Sequence, residues 1–454
     1  MKPVLIAAIV ASSMSYIDGT ALTVALPVIK AKLPATDAQA QWIIEGYLLF
    51  LSALILIGGS LGDRYGRRRL FALGTWVFAL SSVTCGLATN ASLLVAARCV
   101  QGIGAALMIP ESLALITAEY RDSERGRAIG IWASASALTA AAGPVLGGWL
   151  TQELSWRWVF WINVPLAAIV LLLAALRVPE SRAAGTRGAP DILGSACITA
   201  SLGLVIVALL RLQERNPDLS WLPMMVGGGV LLACFVLIER RASAPVAPPR
   251  LFASAAFDLA NLYTLLLYAA LGGALFFVPF QLQQVMGYSP LLAGFALMPT
   301  IVLIALLSPL MGSIASRIGA RMPMVLGAAI AGIGFALFAR LAPGESYVAS
   351  ALPATIVLGF GLAIMVAPLV TAVMGAADAD DVGAASGINN SISRIGNLIA
   401  VAVLGIVIAA AGGGALPTAA HPLGFIAAMF TAAAMAFAAA LCAAFLPQYH
   451  GAKR

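Results

Sequence analysis

The sequence predicts an all-α integral membrane protein with fourteen transmembrane helices, and three observations carry that prediction. Of 454 residues, 61% are hydrophobic and only 10% charged, a balance foreign to ordinary water-soluble domains. Apolar windows of about 20 residues, the length that crosses a bilayer, recur near 5–29, 41–61, 70–89, 92–117, 127–150, 159–176, 191–210, 221–238, 257–280, 291–314, 323–340, 347–374, 385–411 and 422–446. With the N-terminus inside, nineteen Lys and Arg residues fall in predicted cytoplasmic segments, six fall outside, and Arg98 lies within a span. Loops rich in Lys and Arg stay in the cytoplasm, so both termini are expected there. The net charge of +7 then reflects insertion into a cell inner membrane and calls for no nucleic-acid partner.

The first window follows Lys2 and runs through Asp18 to Pro27 without a cleavage context, so it reads as a retained helix and not a secretion signal. Asp18 lies near its middle. A carboxylate at that depth must face the bundle interior, and ionisable groups inside a membrane are functional by default; the alternative is an acid that only bonds a neighbouring helix. Glu45 begins the second span beside Trp42 and Tyr47. It reads either as a functional acid or as an interfacial Glu reaching water beside an aromatic belt.

The second span ends in Gly58-Gly59-Ser60-Leu61-Gly62-Asp63-Arg64-Tyr65-Gly66-Arg67-Arg68-Arg69. Gly58, Gly62 and Gly66 recur every four residues, a smooth stripe on which a second helix can approach closely, and the arginines make the turn a cytoplasmic elbow. A second stretch, Gly312 to Arg321, aligns with Gly59 to Arg68 without a gap and points to a duplicated half. There Ser316 stands in place of Asp63.

The pattern G-x-L-x-D-R-x-G-R-R resembles the loop signature of the major facilitator superfamily of secondary transporters. Further stretches are similar to motifs of the same family. Asp18 to Pro27 looks like its D-x-T-x-x-x-x-A-L-P run, and Arg98-Cys99-Val100-Gln101-Gly102-Ile103-Gly104 like its R-x-x-Q-G-x-G. Gly143-Pro144-Val145-Leu146-Gly147-Gly148, with Gly130 before it, resembles the antiporter motif of the fifth helix, although Thr139 stands where that pattern usually has Gly. Val178 to Pro190 and Ala242 to Pro249 have linker composition and bracket the seventh and eighth spans. The arrangement of six helices, two extra helices and six more resembles the fourteen-helix drug:proton antiporter group. The expected domains are 1–177, an N-terminal six-helix bundle, 178–256, the two extra helices with their linkers, and 257–454, a C-terminal six-helix bundle.

The resemblance, and the default that acids inside a membrane are functional, mark out particular residues. Asp18, Arg98, Glu45 and Glu111 are candidates for proton coupling. At 1.5 Å rise per residue Asp18 sits ~20 Å above the cytoplasmic end of its helix and Arg98 ~10 Å below the outer end of its own, a similar depth. Glu111 follows Pro110, whose kink obscures its helical phase, so it either serves protons or reaches the cytoplasmic surface. Gly62, Asp63, Arg64, Gly66 and Arg67 of the elbow, with Gly143, Pro144, Gly147 and Gly148, are candidates for conformational roles. In the family the acid matching Asp63 bonds across to the opposite half, which here points to Ser386 to Arg394.

The later spans lack acids beyond Asp258, whose place at a helix start suits the dipole. They offer aromatic and amide groups, and Tyr263, Phe276, Phe277, Gln281, Gln284 and Asn389, together with Glu45, are the candidate substrate contacts. An acid in one half and aromatics in the other suit a lipophilic cation. The expected activity is proton-coupled efflux by alternating access in a monomer, with membrane lipid, protons and small molecules as its partners and the proton gradient in place of a cofactor. A lipid or metabolite transporter on the same scaffold and a membrane-embedded enzyme stay open as alternatives. Against the last, no lysine follows a phosphate-binding glycine loop, His421 and His450 stand apart, and the five cysteines have no metal-ligand or disulfide spacing.

Overall fold

The computed structural model describes residues 2–120, 122–182, 192–214, 217–241, 249–377, 382–411 and 414–447. The chain winds through α1 Pro3–Lys32, α2 Asp37–Tyr65, α3 Arg67–Leu87, α4 Ala91–Glu119, α5 Asp122–Trp149, α6 Trp158–Trp161, α7 Asn163–Arg177, α8 Ile192–Arg211, α9 Trp221–Arg241, α10 Ala255–Phe280, α11 Pro290–Ala296, α12 Met298–Ile318, α13 Arg321–Phe338, α14 Ala351–Gly375, α15 Val382–Ala410 and α16 Pro422–Ala444. Among the described residues fourteen segments are long and apolar enough to span a membrane, α6 with α7 making one and α11 with α12 another. The two subdivisions have a chemical cause. Pro165 and Pro299 stand in the first turns of α7 and α12, where proline is tolerated but cannot continue a preceding ladder of hydrogen bonds.

Helix starts follow local sequence. Thr36 and Gln39 form a reciprocal capping box at α2, the Gln39 amide donating to Thr36 Oγ1 and the Thr36 amide to Gln39 Oε1, each at 3.1 Å. Asn90 Oδ1 accepts from the Leu93 amide at 2.9 Å to open α4. Of the linkers, residues 183–191 and 242–248, including Pro245 and Pro248, lie outside the described residues.

The elbows repeat. Between α2 and α3 the chain turns on Gly66 at φ +117°, and between α12 and α13 on Gly319 at φ +87°, a region where any side chain is strained. Packing repeats with them. Gly74 of α3 faces the backbone of Gly104 and Met108 on α4, and Gly327 of α13 faces Gly361 and Met365 on α14. These small residues let helix backbones approach where lipid supplies no hydrophobic drive for association. The duplication expected from the aligned elbows is therefore a duplication of structure.

The chain divides into two compact units. One comprises Met1–Leu204, Val226–Val246 and Ser289–Gly294, and the other Val205–Met225, Ala247–Tyr288 and Phe295–Arg454. The first holds an apolar core built around Met14, Tyr47, Leu51, Phe71, Phe78 and Met108. The second is centred on α10, whose Phe257, Tyr263, Phe276, Phe277 and Phe280 are buried.

Candidate functional site

At the middle of α1, Asp18 is 0% exposed and Arg98 of α4 is 1% exposed. Arg98 Nη1 donates to Asp18 Oδ2, so the pairing suggested by their similar depth is realised. The ion pair is set in a polar cluster. Asp18 Oδ1 accepts from Gln101 Nε2 at 2.9 Å and from Asn163 Nδ2 at 3.1 Å. Gln101 Oε1 in turn accepts from Arg98 Nη1 at 2.6 Å, and Ser82 Oγ receives both amides, at 2.8 Å from Gln101 and 3.3 Å from Asn163. Arg98 Nε donates to the Ile43 carbonyl at 2.9 Å, and its guanidinium lies 4.3 Å from the Tyr47 ring centre and 5.9 Å from that of Phe160. The Tyr47 and Ser15 hydroxyls lie 2.5 Å apart. Two charges taken out of water are tolerated only when their remaining lone pairs and protons are met. Here Asp18 has a donor at each oxygen, and four other helices, α2, α3, α4 and α7, build its surroundings.

Glu45 and Glu111 differ. Both are 0% exposed, and among the described residues all four of their carboxylate oxygens lack hydrogen-bond partners. The readings in which Glu45 reaches water at the interface and Glu111 reaches the cytoplasmic surface therefore do not hold. Glu111 is buried because Gly62 makes room: a Cβ at position 62 would collide with the carboxyl group. Its charged neighbours are Asp63, Arg67 and Glu180.

At the elbow Asp63 Oδ1 accepts from Arg67 Nε at 2.9 Å and Nη2 at 2.7 Å. Arg64 is exposed and lies over the Tyr65 ring at 5.6 Å. A residue missed in the sequence, Glu180, completes the turn. Its Oε1 accepts from the Arg68 and Ser181 amides at 3.0 and 3.1 Å, and its Oε2 lies 3.8 and 3.7 Å from Arg68 and Arg69 Nε. The Arg67 amide donates to the Ser181 carbonyl at 3.0 Å, so the segment leaving α7 lies along the elbow. A lone acid after Arg177, opposite a turn rich in arginine, was the available signal.

The α5 glycines pack closely on their neighbours. A Cβ at Gly143 would meet Thr20, and one at Gly147 would meet Ala21, both on α1, while Gly148 lies on Pro290 and Gly294 lies on Pro144. Thr139 Oγ1 turns back to the carbonyls of Ala135 and Ser136.

In the second unit, Tyr263 donates its hydroxyl to the Met324 carbonyl at 3.0 Å and Gln281 Nε2 to the Leu341 carbonyl at 2.6 Å. Phe276 packs edge-on to Phe277, centroids 4.9 Å apart. These four expected substrate contacts are core residues here, because aromatic surface and buried polar atoms find partners inside the unit. Gln284 is exposed. Asn389 is half-buried, its Nδ2 donating to Asn261 Oδ1 at 3.0 Å and Thr264 Oγ1 at 2.7 Å.

A family model described as Major Facilitator Superfamily matches residues 8–401. The chain belongs to the major facilitator superfamily. It is thus a multi-pass membrane transporter, which sets aside the enzyme alternative. Among its relatives, multidrug resistance protein Stp of Mycobacterium tuberculosis is 34% identical over 87% of this chain and 74% of that protein. Puromycin resistance protein pur8 of Streptomyces alboniger is 33% identical over 89% and 81%. The tetracenomycin C resistance and export protein of Streptomyces glaucescens is 31% identical over 91% and 77%. In fold the chain is similar to a peptide transporter POT, with a TM-score of 0.71, 16% identity and coverage of 97% and 92%, and to a bacterial homologue of the lysosomal transporter Spinster, at 0.67, 18%, 97% and 96%.

Proposed function

We propose that this transporter exports lipophilic cations in exchange for protons by alternating access, with both termini in the cytoplasm of a cell whose inner membrane it spans. The observation that carries the proposal is Asp18: a fully buried carboxylate joined to a fully buried arginine, with a donor at each oxygen. A group that exchanges protons needs a charged form sheltered from water yet matched by hydrogen bonds, and competition for its partners changes its hold on a proton. The relatives named for drug resistance and export support efflux as the direction. The proton gradient supplies the drive, with no cofactor, and the monomer is the working unit.

Glu45 supplies attraction for a cation, since its buried carboxylate has no hydrogen-bond partner among the described residues. Gln284 and Asn389 offer polar contacts in the second unit, and Glu111 serves as an accessory proton site. The test is a weakly buffered, detergent-solubilised sample to which tetraphenylphosphonium is added. Wild type should release protons, whereas Asp18→Asn, still folded, should release none and lose pH-driven export from vesicles. Normal export by the Asn variant would sink the assignment. Failure to bind any lipophilic cation would favour a lipid or metabolite substrate.

A further inference from the structure

We propose that Asn163 is a positioning residue that sets how firmly Asp18 holds its exchanged proton; this rests on the reading of Asp18 as the proton site. Asn163 is the first residue of α7, is 0% exposed, and sits in the apolar run Val159-Phe160-Trp161-Ile162-Asn163-Val164-Pro165. Its carbonyl Oδ1 is buried without a hydrogen-bond partner among the described residues. An unmet acceptor costs stability, and an apolar side chain of the same shape would avoid that cost. The value of the amide therefore lies at its other end, where Nδ2 reaches Asp18 Oδ1 at 3.1 Å and Ser82 Oγ at 3.3 Å.

The three donors to Asp18 are not equivalent. Arg98 and Gln101 share α4 and bond to each other at 2.6 Å, so they move together. Asn163 comes from α7, and its place depends on the turn that precedes it. There Arg157 Nη1 donates to the carbonyls of Gly86 and Ala88 at the end of α3, at 2.9 and 2.8 Å. Its guanidinium lies 4.4 Å from the Trp156 ring centre, and Trp161 fills the space that Gly86 leaves. Movement of this turn would withdraw Asn163 from Asp18 while leaving the α4 donors in place. Loss of a donor disfavours the charged carboxylate, so such a movement promotes proton uptake.

Around the Asp18–Arg98 pair the titratable side chains are Cys99 on α4, Cys85 on α3 and Tyr47 on α2, with Glu45 and Tyr16 within two residues of Tyr47 and Asp18 in the sequence. No titratable side chain occurs on α5 beyond Arg127, and none on α6 or on α7 before Arg177. Asn163 is therefore a tunable donor that can be changed without altering charge.

The experiment follows tetraphenylphosphonium-induced proton release as a function of pH for the full-length protein in detergent. Wild type fixes a midpoint. Asn163→Leu keeps the branched heavy-atom skeleton and removes the donor, so the midpoint should rise by about one to two pH units, the worth of one hydrogen bond to a charged group. Asn163→Ala also removes the donor, without Leu's steric demand, so the midpoint should rise by a similar amount; it provides the test if the Leu variant does not fold. A structural role alone would lower yield or melting temperature with the midpoint in place, and an unchanged midpoint in folded variants overturns the proposal. Wild type that releases no protons overturns the exchange reading, and this proposal with it.

Discussion

Asp18, Glu45 and Glu111 lie buried in the first unit, and their surroundings separate them. Asp18 has an arginine and two amides, whereas Glu45 and Glu111 have no hydrogen-bond donor among the described residues. Removing Arg98 would leave Asp18 as an uncompensated buried charge, a change that costs about 3–5 kcal/mol when a buried pair is broken. Glu45 has no such pairing to lose. Glu45→Gln should therefore leave folding nearly unchanged and act on ligands, because a cation entering a low-dielectric site needs a carboxylate to offset its desolvation. Export of permanent cations such as quaternary ammonium dyes should fall about tenfold or more, with export of neutral or zwitterionic compounds little affected. Vesicle assays showing equal losses for both classes would make Glu45 a general coupling residue.

At the scale of elements, the elbow between α2 and α3 combines a backbone constraint with an electrostatic one. Gly66 holds φ +117°, and a Cβ there would come within 2.8 Å of the Glu180 carboxylate. Gly66→Ala should lower stability by about 1–2 kcal/mol from the left-handed backbone conformation alone, with a further loss as Glu180 is displaced from the Arg68 amide. Glu180→Ala should remove that second part, so that the double variant melts no lower than Gly66→Ala alone. Thermal unfolding in detergent measures both effects, and an unshifted transition in Gly66→Ala would show that the turn can relax at no cost.

For the whole molecule, two structurally repeated halves carry unequal chemistry. The first elbow has Asp63, bound to Arg67, while Ser316 takes its place in the second. The family resemblance leads us to expect that this acid helps to hold one conformational state, and the start of the helix that carries Ser386 to Arg394 would reward an acid beside it by about 0.3–1 kcal/mol. That gain is enough to shift a balanced two-state equilibrium about two- to fivefold. Asp63→Ala should move the population toward the inward-facing state, read as altered spin-label distances between the cytoplasmic ends of the two units. Unchanged distance distributions would rule out a latch at this position.

Features that depend on local composition and spacing were legible without a structure. Fourteen spans follow from the length and polarity of apolar runs, the elbows from glycine and arginine, and the repeat from the alignment of Gly59 to Arg68 with Gly312 to Arg321. Asp18 and Arg98 were legible because a charge within a membrane helix demands a partner at its own depth. Packing between distant parts of the chain settled the rest. Asn163, Ser82 and Glu180 reach their partners across 145, 81 and 112 residues of chain, distances over which helical periodicity carries no information. The orientation of a membrane helix about its axis is likewise poorly marked when both lipid and core are apolar, so sequence could not place Tyr263 and Phe276 inside the second unit. Helix packing fixes which face turns inward, and with it whether a buried carboxylate is paired, as Asp18 is, or left without a donor among the described residues, as Glu45 and Glu111 are.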